Sequence, residues 1–277
     1  MNQLIEATLD DLMWRIEKST GDWVRDWVSG GVPRNYTTGR RYHGVNILLL
    51  WSARDVNRYP SGDWATYKQW AASGRQVKGG ETSTAIFIMK DALKKGGDRD
   101  NPADHYRLMR CAFVFNAAQL VAPPDRVTEA VTPAQRDAAC DRLVAATGAL
   151  IGEGEQPLYR PAADMILIPP IGRFMSAEGY YATLFHELAH WTGHKDRLDR
   201  HEDYAFEELV AELGAAFTCS TMGVAFDTDN TAAYLRSWLR SVRQERGAAL
   251  MRAASLASKA HDFIVSRETK EEDAMAA

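Results

Sequence analysis

The chain predicts an α+β protein of two domains, and three observations predict it. Apolar residues recur at helical spacing in several long stretches, first Leu4, Ile5, Leu9, Leu12, Met13 and Ile16, later Tyr181, Leu184, Phe185 and Leu188. Two runs, Thr84 to Met89 and Cys111 to Phe115, are apolar and β-prone, which predicts strands. The charge balance also changes sign along the chain. Residues 1–122 hold 17 Lys+Arg against 13 Asp+Glu, whereas the remaining 155 hold 16 against 24. Opposite charge in the two halves points to two jobs. The change falls at a stretch running from Pro123-Pro124 to Pro133, so we place the boundary there. Residues 1–125 read as a small mixed α/β module and 126–277 as a mostly helical lobe with few strands.

Taken in order, residues 4–28 predict a helix, broken by Gly30-Gly31-Val32-Pro33. A second helix is expected to start at Asn46, which can cap the run Ile47 to Trp51. A Trp-rich segment, Asp63 to Trp70, leads to a Gly79-Gly80 turn and then to the two strands. The basic stretch Lys94 to Pro102 between the strands reads as an exposed hairpin loop. After the boundary a helix reaches about Thr147, and Gly152 to Pro157 reads as a loop. Asp164 to Ile168 is a short strand ended by Pro169-Pro170. Three helices follow, one beginning after Ser176 and two at about 204–221 and 231–263, and the charged tail from Glu268 is expected to fray.

Composition excludes several classes. At 45% hydrophobic and 25% charged the chain is an ordinary globular one, and no apolar run approaches the ~20 residues of a membrane span. The start, Met1 to Glu6, lacks the basic and apolar regions of a signal peptide. Cys111, Cys140 and Cys219 are scattered, with no C-x-x-C pair. They read as reduced core thiols, which points to the cytoplasm and excludes a cysteine zinc knuckle.

The most specific motif is His186-Glu187-Leu188-Ala189-His190. Two histidines four apart share one helix face, so both imidazoles can reach a single ion, while Glu187 can act as general base toward water at the open position. Ser176 can cap this helix and Gly193 can end it. A tetrahedral catalytic site wants a third protein ligand. Asp196 and His194 are candidates, as is the helix carrying Glu208 and Glu212, which lie four apart on one face. We favour Glu208 as ligand, with Glu212 accepting the ring N–H of a ligating histidine. Asp196, Arg197, Asp199 and Arg200 read as loop salt bridges rather than ligands, and Glu207-Glu208 can alternatively be a solvated face. One divalent ion is expected: zinc by default for two histidines and a carboxylate, with manganese or cobalt fitting the same ligands.

In residues 34–80 eight Lys/Arg face only Asp55 and Asp63, and Tyr36, Tyr42, Trp51, Tyr59, Trp64, Tyr67 and Trp70 stand among them. Cations track phosphates and flat rings stack on unpaired bases, so the mixture predicts single-stranded DNA binding. Arg40, Arg41, Arg75 and Lys78 are the candidate phosphate contacts and Tyr42 the candidate stacking residue. Trp51, Trp64 and Trp70 can equally be core, as buried aromatics usually are.

These segments resemble a known family. Tyr181 to Arg200 with Tyr204 to Glu212, Thr37 to Trp51, Val77 to Glu81 and Val114 to Asn116 are similar, in the same order, to ArdC-type antirestriction proteins and related TraC-like conjugative proteins. The resemblance implies an N-terminal single-stranded-DNA-binding domain and a C-terminal zincin-like metallopeptidase domain. It further implies a mobile-element protein that protects incoming DNA from host restriction, with a host restriction protein as a candidate target.

Overall fold

The computed structural model describes residues 3–18, 31–94, 98, 101, 104–124, 132–226, 235–238 and 245–276, the last nine of these as backbone only. The chain opens with α1 (Gln3–Lys18), which buries Ile5, Leu9, Leu12, Met13 and Ile16 along one face. The rest of the expected first helix, with Trp23 and Trp27, lies outside the described residues. Next come β1 (Arg34–Asn35), α2 (Val45–Val56), β2 (Asp63–Ala65) and the short α3 (Tyr67–Ala72). Thr66 and Gln69 cap α3 reciprocally, each satisfying an otherwise unpaired backbone N–H.

Asn46 does not cap α2. The helix starts after Gly44, which takes φ 60°, and the Asn46 amide pairs instead with both backbone groups of Phe87 (2.7 and 2.8 Å). A side chain thus extends the sheet edge, a tertiary use that local capping rules cannot foresee.

The strands β3 (Thr84–Leu93) and β4 (His105–Asn116) run longer than their apolar cores. They pair antiparallel throughout, from Thr84 opposite Val114 to Leu93 opposite His105. The sheet order is β1-β2-β4-β3, but β2 meets β4 only at Phe115 and Asn116. Most of β3–β4 is therefore a two-stranded ribbon. The expected hairpin loop between them lies largely outside the described residues.

The second half holds α4 (Pro133–Thr147), then a three-stranded sheet ordered β5 (Leu150–Glu153), β7 (Met165–Ile168), β6 (Leu158–Arg160). The first two of these strands in chain order, β5 and β6, were not expected, since they hold only four and three residues. Three helices follow: α5 (Ala177–Thr192), α6 (Tyr204–Met222) and α7 (Arg246–Ala276). The tail expected to fray continues α7. Of the helix expected over about 231–263, residues 231–234 and 239–244 lie outside the described residues, and its later part belongs to α7. Among the described residues no helix is long and apolar enough to cross a membrane.

One core spans both halves. Residues of α1, α2 and Phe87 pack with Phe206, Leu209, Val210, Leu213 and Phe217 of α6 and with Leu250 to Ala257 of α7. A second core under α5 joins Tyr181, Leu184, Phe185 and Leu188 to α4, β6, β7 and Ile264. Between α5 and α6 the contact is made by small residues. A Cβ on Gly214 would stand 3.1 Å from that of Ala189, so the two backbones approach closely only because position 214 is glycine.

Candidate metal centre and nucleic-acid surface

Ser176 accepts the Gly179 N–H (3.1 Å) and starts α5, whose apolar face is buried while His186 and His190 stand one turn apart. Their Nε2 atoms are 3.1 Å apart, a spacing at which both cannot carry a proton. Glu208, brought by α6, places Oε2 3.5 Å from His186 Nε2 and Oε1 3.6 Å from His190 Nε2. Donor atoms of these three residues all lie within 4.8 Å of one another. Ligands about 2.0–2.1 Å from a tetrahedral zinc-sized ion stand about 3.3 Å apart, so two imidazoles and a carboxylate at this spacing fit a divalent cation.

The outer ring nitrogens are held as well. His186 Nδ1 is 3.2 Å from Glu212, and His190 Nδ1 is 3.4 Å from Glu207. Carboxylates there keep the proton on Nδ1 and turn the Nε2 lone pairs inward. Burial disfavours charge on His186, yet hydrogen bonds to Glu208 and Glu212 outweigh it and push its pKa up to about 10. The pocket, in other words, attracts positive charge.

Arg200 forms the loop salt bridge expected of it, but its partner, Glu207, has a role the sequence did not reveal. The Arg200 side chain donates to both Glu207 oxygens (2.6 and 3.1 Å), to Thr192 Oγ1 (2.7 Å) and to the Ala189 carbonyl (2.7 Å). It thereby ties the loop after α5 to that helix's end. Burial would raise the Glu207 pKa, but His190 and Arg200 hold it below the ordinary value. Gly193 makes room for this clamp, because a Cβ there would stand 2.9 Å from the guanidinium. The one available signal, Glu207 beside Glu208, points about 100° away on a helix and so reads as solvated. Tyr204, largely exposed at the start of α6, bonds Glu208 through its hydroxyl, which raises the phenol's pKa.

Glu187 is only 8% exposed, and its Oε2 accepts the Tyr159 backbone N–H at 2.7 Å. That N–H belongs to β6, the strand missed from sequence. The Tyr159 hydroxyl donates to Asp164 (2.9 Å), and Arg197 clamps the same carboxylate while lying 3.9 Å over the Trp191 ring. Arg197 accordingly holds the Asp164 pKa down at about 2. The other ligand candidates stand elsewhere: Asp196 is exposed and faces His194 (3.4 Å), and neither joins the three-residue cluster.

The predicted DNA contacts fare unevenly. Arg40 and Arg41 are exposed just past the turn that follows β1, where Arg41 bridges back to Arg34. Arg41 borders a cleft of about 880 Å³ shared with Arg34, Gly39 and Ser61. Arg75 lies 5.7 Å from the Tyr36 ring and donates to the Ala122 carbonyl, so cation and ring form one platform beside that turn. Lys78 is exposed and donates to the Ala118 carbonyl. Tyr42 is half-buried against Leu50, Trp64, Ile86 and Val114, with its hydroxyl bonded by Asn35. Trp51, Trp64 and Trp70 are fully buried core residues, and among the rings of this window Tyr67 is exposed.

Comparison with known proteins places both halves. Residues 138–256 match the model of a zincin-like metallopeptidase domain, and residues 2–118 match the N-terminal domain of the anti-restriction factor ArdC. The crystal structure of the antirestriction protein ArdC from plasmid R388, metal-free, superposes with a TM-score of 0.80 at 34% identity, covering 97% of this chain and 98% of that one. Its Mn(II)-bound structure gives 0.77, at the same identity, over 96% and 98%. Two Escherichia coli proteins named DNA primase TraC are 35% and 33% identical over 96% of this chain. The chain spans only 27% and 20% of their lengths. An uncharacterized Sinorhizobium fredii protein, y4eC, is 32% identical over 96% of this chain and 92% of its own length. On the strength of full-length similarity in both halves, the chain belongs to the ArdC family of antirestriction proteins.

Proposed function

We propose that this protein is a mobile-element antirestriction factor acting in the cytoplasm. Residues 1–125 bind single-stranded DNA, and residues 126–277 hold one divalent metal ion and attack a protein target, for which a host restriction protein is the leading candidate. His186, His190 and Glu208 are the metal ligands, Glu212 and Glu207 orient the two imidazoles, and Glu187 is the general base. The observation that carries the reading is the convergence of three ligand atoms with both histidine Nδ1 atoms already occupied by carboxylates. An accidental pair of histidines needs no such support.

A bound ion would polarise a scissile carbonyl and acidify nearby water. The chain's own residues do the rest. Glu187 keeps one oxygen on the Tyr159 N–H, which fixes its direction, and leaves the other to take a proton from attacking water and pass it to the leaving amine. Glu212 and Glu207 hold the imidazoles in the tautomer that binds metal. Zinc is the ion proposed; the Mn(II) bound by the R388 relative makes manganese the alternative.

A second reading keeps binding and discards catalysis: a DNA-coating protein whose metal is structural. Elemental analysis of purified protein, with titration of labelled single-stranded and duplex DNA, tests the proposal. About one equivalent of zinc, absent from the His186→Ala/His190→Ala variant, together with preference for the single strand, is expected. Protein without metal, or with equal affinity for both DNA forms, would contradict it.

A further inference from the structure

The outer half of the β3–β4 ribbon belongs to no part of the function described so far. Antiparallel pairing puts the even-numbered residues of both strands on one face. At its base that face is apolar and packed, with Ile86 and Val114 buried. Farther out it carries Lys90, Tyr106, Leu108 and Arg110, and Tyr106 is 45% exposed. Leu108 sits directly opposite Lys90, with Arg110 two residues to one side of it and Tyr106 two residues to the other. Same-face neighbours along a strand are about 7 Å apart, so two cations and a ring surround a small apolar floor.

The charge arrangement is one-sided. None of the ten paired even-numbered residues is acidic. The single carboxylate of the paired strands, Asp91, lies on the opposite face across from Arg107, 3.9 Å away. Among the described residues Lys90 and Arg110 have no anionic partner. The opposite face has a different job: Phe87, Met109 and Cys111 pack against the core shared by the two halves. One face of the ribbon is therefore anchored, and the other offers uncompensated positive charge around an exposed ring.

We infer that this face of the β3–β4 ribbon is a second single-stranded-DNA contact, with Lys90 and Arg110 on successive phosphates and Tyr106 stacked on a base. Cations without counter-charge favour a polyanion, and a free ring beside them suits an unstacked base more than a duplex edge. The inference rests on the proposal that the N-terminal half binds single strands, and it moves the stacking residue from half-buried Tyr42 to Tyr106.

The test uses the full chain and a labelled oligothymidylate at several salt concentrations. Tyr106→Ala is expected to weaken binding about 5- to 150-fold without altering the salt dependence. Lys90→Gln/Arg110→Gln is expected to lower the slope of log affinity against log salt by about 1.4. All three side chains point away from the core, and an unchanged unfolding temperature checks that the variants fold. On the unaltered protein, light-induced cross-linking to a bromodeoxyuridine-substituted strand should attach at Tyr106. Affinities equal to the parent's with no cross-link on the ribbon would overturn the inference. If Arg40→Ala/Arg41→Ala still weakens binding in that case, only the ribbon assignment falls. If the parent itself ignores single strands, the underlying proposal falls with it.

Discussion

The candidate metal centre and the basic N-terminal surface hold their charged groups in opposite ways. At the centre side chains are fixed by second groups: Glu212 and Glu207 on the imidazoles, Arg200 on Glu207, the Tyr159 backbone N–H on Glu187. At the surface Arg40 and Arg41 stand on an exposed segment past a turn, Lys90 and Arg110 on a ribbon face, with few fixed side-chain partners. Under the proposed function, the contrast follows from what each would bind. A small ion demands ligand atoms placed within tenths of an ångström, so orientation is built in. A flexible polyanion tolerates mobile cations, because its energy comes largely from counterion release rather than geometry.

The contrast can be broken at the centre first. Glu187→Gln should reduce any peptide cleavage by about 10²–10⁴-fold while leaving metal content unchanged. Protection of incoming DNA in a restricting recipient should fall in parallel. Retention of both with metal still bound would remove general-base chemistry and favour the structural-metal reading. Glu212→Gln and Glu207→Gln should each weaken metal affinity about 10–100-fold, measured by competition with a chelator. If neither does, the supporting carboxylates are incidental and the two regions are organised alike.

At the surface effects should be smaller and graded. Arg40→Ala/Arg41→Ala is expected to lower the salt slope of single-strand binding by about 1.4, with every sequence weakened similarly. A loss confined to one sequence would mean geometric recognition there too. The smallest effect concerns acid stability. The Asp164 pKa in the folded state, about 2, lies below its ordinary 3.8 because Arg197 bonds the carboxylate. The contribution is therefore complete above about pH 4 and is lost as pH falls toward 2. Asp164→Asn should flatten the stability profile over that window, read by denaturant unfolding at a series of pH values.

The centre was also the more legible region. His186, Glu187 and His190 follow from spacing on one helix, and Glu208 with Glu212 from the same rule on another. Arg200 was legible as a loop salt bridge, but its partner Glu207 was hidden, because the pairing depends on how a loop folds back over the end of α5. Tyr159 was hidden because β6 is three residues long and carries no periodic signal. In the N-terminal half the sequence left Trp51, Trp64 and Trp70 open between stacking and core, and packing in three separate clusters made all of them core. The exposed ring of the ribbon lay outside the charged window, where a linear count of residues cannot see a face.

The sequence by itself determined the α+β class, the cap and stop of the helix carrying His186 and His190, the i,i+4 spacing of those histidines and of Glu208 with Glu212, and the family. All of these are local patterns or whole-chain similarity. Only the tertiary structure decided that Glu208 reaches the facing Nε2 atoms while Glu212 reaches Nδ1. That choice depends on the close approach of α5 and α6 at Ala189 and Gly214. It also decided that Asn46 joins a sheet edge instead of capping a helix, and that α1 and α2 share one core with α6 and α7. The reason is common to all three: helical spacing fixes which residues share a face, but packing between distant segments fixes what that face meets.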